Sequence, residues 1–322
     1  MPNRNNSYLT ADVGGETITS LYLLHKERTI MNDAGDMCWR SLLFVPANNA
    51  RYAQKALTSE ADAIVLDLED AVLPEHKVQA RSSVQAITES LSTGKRDVLV
   101  RINRPLSLAV RDIEAAVSRH VRAIVVAKAS SDQHLRLLSE ILEERENALG
   151  LQTGYTKLLP LLETAEAIRR IDEIASCPRV VALVCGDEDL AADLGCSPDS
   201  ETLSAVKCDL ILAAALHGVR PLGLMGSIAD FSDLESFGKA VSRSMALGLK
   251  GTLCIHPNQV KIANRGFTPS SDQLEYARQI VEAANAARVN GVGAVGFDGK
   301  MIDAPVLRRA QNLLKEGQRL TD

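Results

Sequence analysis

The side chains best suited to chemistry in this 322-residue sequence are polar groups that close short apolar runs. Asp67-Leu68-Glu69-Asp70 follows one run, Arg101 and Asn103 another, Lys128 a third, Glu163 a fourth, Asp187-Glu188-Asp189 a fifth and His256 a sixth. Carboxylates offer hard oxygens to a divalent cation and acceptors to a proton, while arginine and lysine grip carboxylates or offset developing negative charge. Glu163 and one acid of the Gly186–Asp189 turn suit Mg2+, with waters and substrate oxygens completing the octahedron. A second reading stays open, in which Glu163 and Asp189 cap the following helices or pair with Arg101 and Lys128. Without a second His or a Cys at ligand spacing, zinc and a facial-triad iron centre are disfavoured. Lys128 could form a Schiff base with a carbonyl, but the acids around it favour a salt bridge.

The elements that must position these groups follow from the hydrophobic pattern. Eight short runs, Leu42–Val45, Ala63–Leu66, Val98–Val100, Ala123–Ala127, Leu158–Leu162, Val180–Cys185, Val219–Leu224 and Thr252–Ile255, alternate with stretches of helical period. Near-continuous Val, Ile, Leu and Ala is the mark of parallel strands covered on both faces. The run at Val219–Leu224 is the weakest, because it contains Pro221 and Gly223. Eight such repeats predict an α/β fold, a (β/α)8 TIM barrel, with catalytic groups at the carboxyl ends of the strands. An open doubly wound sheet is the alternative, but no GxGxxG follows any strand. Three segments are expected: a loose N-terminal extension at 1–38, a barrel at 39–268 and a C-terminal helical extension at 269–322. The last holds helix-like runs at Asp272–Ala287 and from Ala304, separated by a Gly-rich stretch.

Composition removes other classes. Thirty-six Lys and Arg against 41 Asp and Glu give a formal charge of −5, so no basic field gathers nucleic acid or an anionic membrane. No apolar stretch approaches the roughly 20 residues of a membrane span. The six cysteines show no CxxC pair, a pattern expected of a cytoplasmic protein. GxSxG, P-loop and HExxH motifs are absent, which sets aside serine hydrolases, P-loop NTPases and zincins.

Several strings, in order, carry a resemblance: RSLLFVPANN (Arg40–Asn49), DLEDAVLPEHKVQAR (Asp67–Arg81), LVRIN (Leu99–Asn103), LLETAEAI (Leu161–Ile168), GDEDLAADLG (Gly186–Gly195), CIHPNQV (Cys254–Val260) and GKMIDAPVLRRA (Gly299–Ala310). Together they resemble the citrate lyase β-subunit-like branch of the HpcH/HpaI aldolase family. The resemblance implies a TIM barrel that uses Mg2+ and makes or breaks a carbon–carbon bond beside an acyl-CoA thioester. It implies Glu163 and Asp189 as metal ligands, Arg101 as the arginine that binds substrate, and Glu69 as a lining acid. Lys77 and Arg81 occupy positions the family keeps basic, suited to a phosphorylated CoA tail, and Arg40 and His256 are expected to help bind substrate. Asp303 would be the acid/base group, delivered by a C-terminal segment that packs on a neighbouring subunit of a homotrimer or hexamer.

The expected substrates are an acyl-CoA thioester and a 2-oxo acid. Family precedent favours citramalyl-CoA, cleaved to acetyl-CoA and pyruvate, over malyl-CoA or citryl-CoA. The alternatives are the β-subunit of a multi-subunit citrate lyase acting on an acyl-carrier-protein thioester, a non-catalytic assembly homologue, and a pyruvate aldolase acting on free aldehydes. Two departures from the family pattern stand out: Ala127 rather than Pro precedes Lys128, and Gly223 replaces a frequent Asp.

Overall fold

The computed structural model describes residues 37–94, 96–289 and 293–320. Each of the eight expected runs is a strand: β1 (Ser41–Pro46), β2 (Ala63–Asp67), β3 (Asp97–Ile102), β4 (Ala123–Val126), β5 (Lys157–Leu162), β6 (Ala182–Cys185), β7 (Arg220–Leu222) and β8 (Thr252–Cys254). They pair in parallel in the order β7-β6-β5-β4-β3-β2-β1-β8. The ring closes without a ladder between β7 and β8. Lys250 N–H donates to Pro221 O at 2.9 Å and Gly223 N–H to Gly251 O at 2.8 Å. Pro221 cannot donate, which explains why this seam is short and why its run read as the weakest.

Among the described residues, eleven α-helices and a 3-10 turn precede the terminal hairpin, and a twelfth helix follows it. The eleven are α1 (Ala50–Ala56), α2 (Lys77–Leu91), α3 (Leu106–Ala116), α4 (Asp132–Ala148), α5 (Ala165–Arg169), α6 (Ile171–Ala175), α7 (Asp187–Leu194), α8 (Glu201–His217), α9 (Leu234–Leu247), α10 (Pro257–Gly266) and α11 (Ser271–Val289). The alternation of strand side chains builds two cores. Ile64, Leu66, Val98, Val100, Ile124 and Val126 face outward to the helices. Ala63, Val65, Leu99, Ala123, Val125 and Ala182 face inward. The first inward positions of β2, β4 and β6 are alanines, and the space they leave is shared with Met37 and Trp39 in the same buried cluster. Trp39 Nε1 donates to Asp97 at 2.7 Å, fixing this plug across the amino-terminal end of the cylinder. Residues 1–36 of the expected extension lie outside the described residues. Met37, also assigned to the extension by the sequence, is buried in the plug.

Beyond the barrel, α11 packs against a final helix, α12 (Ala304–Arg319), through Ala277, Ile280, Ala284 and Ala310. The expected helical extension also contains an antiparallel hairpin, β9 (Val295–Phe297) with β10 (Lys300–Ile302), inside the Gly-rich stretch. Asp298 and Gly299 turn it with φ of 50° and 69°, the left-handed pair that suits tight hairpins. Glu316 of α12 pairs with Arg220 at 2.7 Å, tying the helix to the start of β7 and so to the amino-terminal end of the barrel.

Candidate active site at the carboxyl ends of the strands

Parallel strands bring their last residues to one rim, and there a cavity of about 340 Å3 opens. Arg101, Glu163 and Asp189 all line it, so residues 88 positions apart along the chain share one chamber. Glu163 directly follows β5 and is buried. Its Oε2 accepts the backbone N–H of Lys128 at 2.5 Å. Lys128 adopts φ 49°, a left-handed conformation that is strained for a side-chain-bearing residue and aims its N–H at that carboxylate. The following strand must leave room: a Cβ on Gly186 would collide with Cγ and Oε1 of Glu163. Burial, with the nearby charge of Asp189 adding to it, pushes the Glu163 carboxyl up to about 7.

Arg101 is built into position from three sides. Its Nε and Nη2 each donate to Asp67 at 2.7 Å, a bidentate pair. Nη1 approaches Glu69 at 3.3 Å, and the guanidinium lies 4.8 Å from the centre of the Phe44 ring. Burial opposes its charge, but the Asp67 hydrogen bonds and charge hold its pKa above the ordinary arginine value. Glu69 is equally committed. It accepts from Lys128 Nζ at 2.9 Å and from Asp70 N–H at 2.9 Å, and burial raises its pKa. With both oxygens engaged, Glu69 is a support for Arg101 and Lys128 rather than a free base.

Lys77 and Arg81 do not present themselves to a phosphate. Lys77 Nζ donates to Leu68 O and Glu69 O, both at 2.9 Å, and Arg81 pairs with the fully buried Asp112. Asp112 also accepts from Asn103 N–H at 2.9 Å. These residues hold the β2 and β3 loops in register instead. Arg40 is placed at the opposite end of the barrel, because it precedes β1. There it pairs with Asp62 at 2.7 Å and donates to Thr268, away from the mouth where it was expected to help bind substrate. His256 sits on the rim as the cap of α10, accepting from Asn258 N–H at 3.2 Å and stacking on Phe231 at 5.1 Å.

Asp303 is not among the residues lining the mouth. It caps α12, accepting from Val306 N–H at 3.1 Å. Thirteen residues of helix, about 20 Å, separate it from Glu316 at the far end of the barrel.

Sequence reasoning missed one contributor. Lys207 is 2% exposed within the apolar α8 and donates to Asp187 Oδ2 at 3.0 Å and to Leu224 O at 2.5 Å. Asp187 Oδ1 has no protein partner, and burial pushes this carboxyl up to about 6 against the pull of Lys207. The lone lysine in the apolar run Leu203–Leu216 was the available signal.

The donor set fits a hard divalent cation. It consists mainly of carboxylates, Glu163 buried and Asp189 exposed, and one buried carboxylate oxygen, Asp187 Oδ1, lacks a donor; the lining cysteine, Cys185, has its thiol pushed up by burial and is not offered as a thiolate. Among the described residues no group of three or more His, Cys, Asp or Glu forms a metal cage. A cation here would therefore rest on two carboxylates and keep positions open for substrate.

A closed parallel barrel with an acid-lined mouth defines a (β/α)8 enzyme architecture. The chain belongs to the HpcH/HpaI aldolase/citrate lyase family, whose sequence pattern matches residues 40–257. It is 31% identical over 284 residues to citrate lyase subunit beta of Haemophilus influenzae, covering 87% of this chain and 97% of that one. It is 29% identical over 306 residues to the L-malyl-CoA/beta-methylmalyl-CoA lyase of Cereibacter sphaeroides, covering 88% and 95%. The crystal structure of CitE from Mycobacterium tuberculosis with magnesium, acetoacetate and coenzyme A superposes with a TM-score of 0.69 at 28% identity, over 86% of this chain and 97% of that one. CitE has also been crystallised with magnesium and pyruvate (TM-score 0.62, 25% identity, 85% and 97% covered), and a citrate lyase beta subunit from M. tuberculosis with oxaloacetate and magnesium (0.61, 26%, 73% and 99%). The curated relatives are named lyases, and magnesium recurs in the M. tuberculosis structures.

Proposed function

We propose that this protein is a Mg2+-dependent carbon–carbon lyase acting on the coenzyme A thioester of a 3-hydroxy-3-carboxyl acid, the class of malyl-CoA, citramalyl-CoA and citryl-CoA. The products are acetyl-CoA and a 2-oxo acid. One observation carries the reading: Glu163 and Asp189 share one cavity with an arginine already locked in place. Magnesium, when bound by Glu163 and Asp189, supplies Lewis acidity and a template for a 2-hydroxy carboxylate.

The chain's own groups account for the remaining tasks. Arg101, immobilised by Asp67 and Phe44, offers its remaining Nη hydrogens to the substrate carboxylate or to the enolate oxygen. Cleavage removes the hydroxyl proton, turns the C–O bond into a carbonyl and breaks the bond between the carbinol carbon and the methylene. The thioester enolate then takes a proton at the methylene carbon. Net, one proton moves from oxygen to carbon, so no oxidant or reductant is needed. Asp303 is the acid for that carbon. Its place on α12, outside the lining of its own mouth, supports delivery to the site of a neighbouring copy in a homotrimer or hexamer.

Purified protein incubated with each of the three thioesters should release free acetyl-CoA only when Mg2+ is present. Release from none of them would sink the reading. The likeness to citrate lyase subunit beta supports a second reading, a subunit acting on an acyl-carrier-protein thioester. That reading requires inactivity toward free CoA esters and activity toward the carrier-bound substrate.

A further inference from the structure

Helix α7 carries Asp189, yet no side-chain cap holds its first turn. The capping position is Gly186, which offers no acceptor to the free N–H groups, and no larger residue fits there because a Cβ would strike Glu163. The grip comes from another helix. Lys207 sits on the buried stripe of α8 with Leu203, Leu210 and Ala214, where the helical period calls for an apolar side chain. An ammonium that is only 2% exposed is tolerated in such a stripe when acceptors surround it. Its Nζ donates to Asp187 Oδ2 at 3.0 Å and to Leu224 O at 2.5 Å. Asp187 is the first residue of α7 and Leu224 lies two residues past β7; both line the mouth. The ladder between β6 and β7 reaches only Val184 and Leu222, so Lys207 ties these two walls together beyond their last backbone pairing.

We propose that Lys207 is a positioning residue for Asp189: through Asp187 it fixes the start of α7, and so the place from which the Asp189 carboxylate meets an ion shared with Glu163. This rests on the Mg2+ reading above. Asp187 and Asp189 belong to the same first turn. Two residues along a helix turn about 200°, so holding Asp187 on the α8 side sets the roll of α7 and with it the direction of Asp189. The role is geometric. Two carboxylates grip one ion only while their separation is kept, and the partners that orient them govern affinity.

Removing the ammonium in two backgrounds tests this by Mg2+ binding rather than by turnover. Lys207→Met in the wild-type chain leaves the Asp187 carboxylate unpaired, whereas in an Asp187→Asn chain it leaves no charge of the pair behind. In both, a positive charge is lost from beside the mouth, so electrostatics alone would make Mg2+ bind more tightly. An Asp187 that itself held the ion would also bind it better once freed. Loss of the tether should instead weaken Mg2+ binding, measured calorimetrically on the folded full-length protein, by roughly 10- to 100-fold in each background, as when a partner orienting a metal-holding side chain is removed. Arg179→Met, which strands Glu146 at the other end of the barrel, controls for lost stability and should keep the wild-type affinity. Unchanged or tighter binding after Lys207→Met in either background, or an equal loss in Arg179→Met, overturns the proposal and leaves the Mg2+ reading standing. Wild-type protein that binds no Mg2+ overturns both. Either background decides the matter if the other does not fold.

Discussion

The two ends of the barrel are made of similar residues and are arranged for opposite purposes. At the amino-terminal end each acid meets a cation or a donor: Arg40 with Asp62, Arg179 with Glu146, Arg220 with Glu316, and Trp39 with Asp97. Glu146 is fully buried there, yet accepts from Arg179, Gly154 N–H and Thr156 N–H, which outweigh burial and hold its pKa down. At the carboxyl-terminal end acids outnumber cations, and Glu163, Asp187 and Glu69 are all pushed up by burial. The same side-chain chemistry thus stabilises at one end and stores unfavourable charge at the other. Perturbed carboxyls gathered in one cleft mark function rather than stability.

The largest effect should separate the ends by activity. Glu163→Gln or Asp189→Asn is expected to remove Mg2+ binding and lower kcat/KM by more than about 1000-fold, comparable to losing a key electrostatic group. The melting temperature without Mg2+ should hold or rise, because buried repulsion is relieved. A folded Glu163→Gln protein with unchanged Mg2+ affinity would break the contrast.

Asp303→Asn should lower kcat by about 100- to 10,000-fold, the range of a lost general acid, with Mg2+ affinity unchanged. Mixing dissociated and reassociated Asp303→Asn and Glu163→Gln proteins should restore part of the activity if the two groups act across subunits. No recovery in verified mixed oligomers would place Asp303 elsewhere.

The floor predicts the converse. Arg179→Met strands the buried Glu146 and should cost about 3–5 kcal/mol in denaturant unfolding, leaving Mg2+ affinity in the folded fraction untouched.

The smallest effect is in pH. A carboxyl raised to about 7 in the fold destabilises the metal-free protein increasingly as pH rises from its unfolded value near 4.5 through 7. Mg2+ requires the ionised form, so its affinity should fall by up to about tenfold per pH unit below 7. The Mg2+-induced rise in melting temperature should therefore be larger at pH 8 than at pH 6, and an equal rise would contradict the desolvated state of Glu163.

Much of this was legible along the chain. Local pattern marked all eight strands, because a doubly covered parallel strand is written in consecutive apolar residues, and it placed Glu163, Asp189 and Arg101 at strand ends. The hairpin at Asp298-Gly299 was also signalled by its turn dipeptide, although the sequence analysis marked only a Gly-rich stretch there. The basic residues were less legible. Lys77, Arg81 and Arg40 each carry the right charge for a substrate, and only the fold shows that carbonyls, Asp112 and Asp62 already hold them.

Sequence by itself determined the alternation of strand and helix, the acids at the strand ends and the chemistry those acids can support, since these depend on neighbours a few residues apart. Tertiary structure decided which charges are spent and which are left over. A pairing such as Lys207 with Asp187, or Arg220 with Glu316, spans 20 or 96 positions and exists only because the cylinder closes. Electrostatic function is set by the charge that remains unpaired after folding, and that remainder is a property of distances in space.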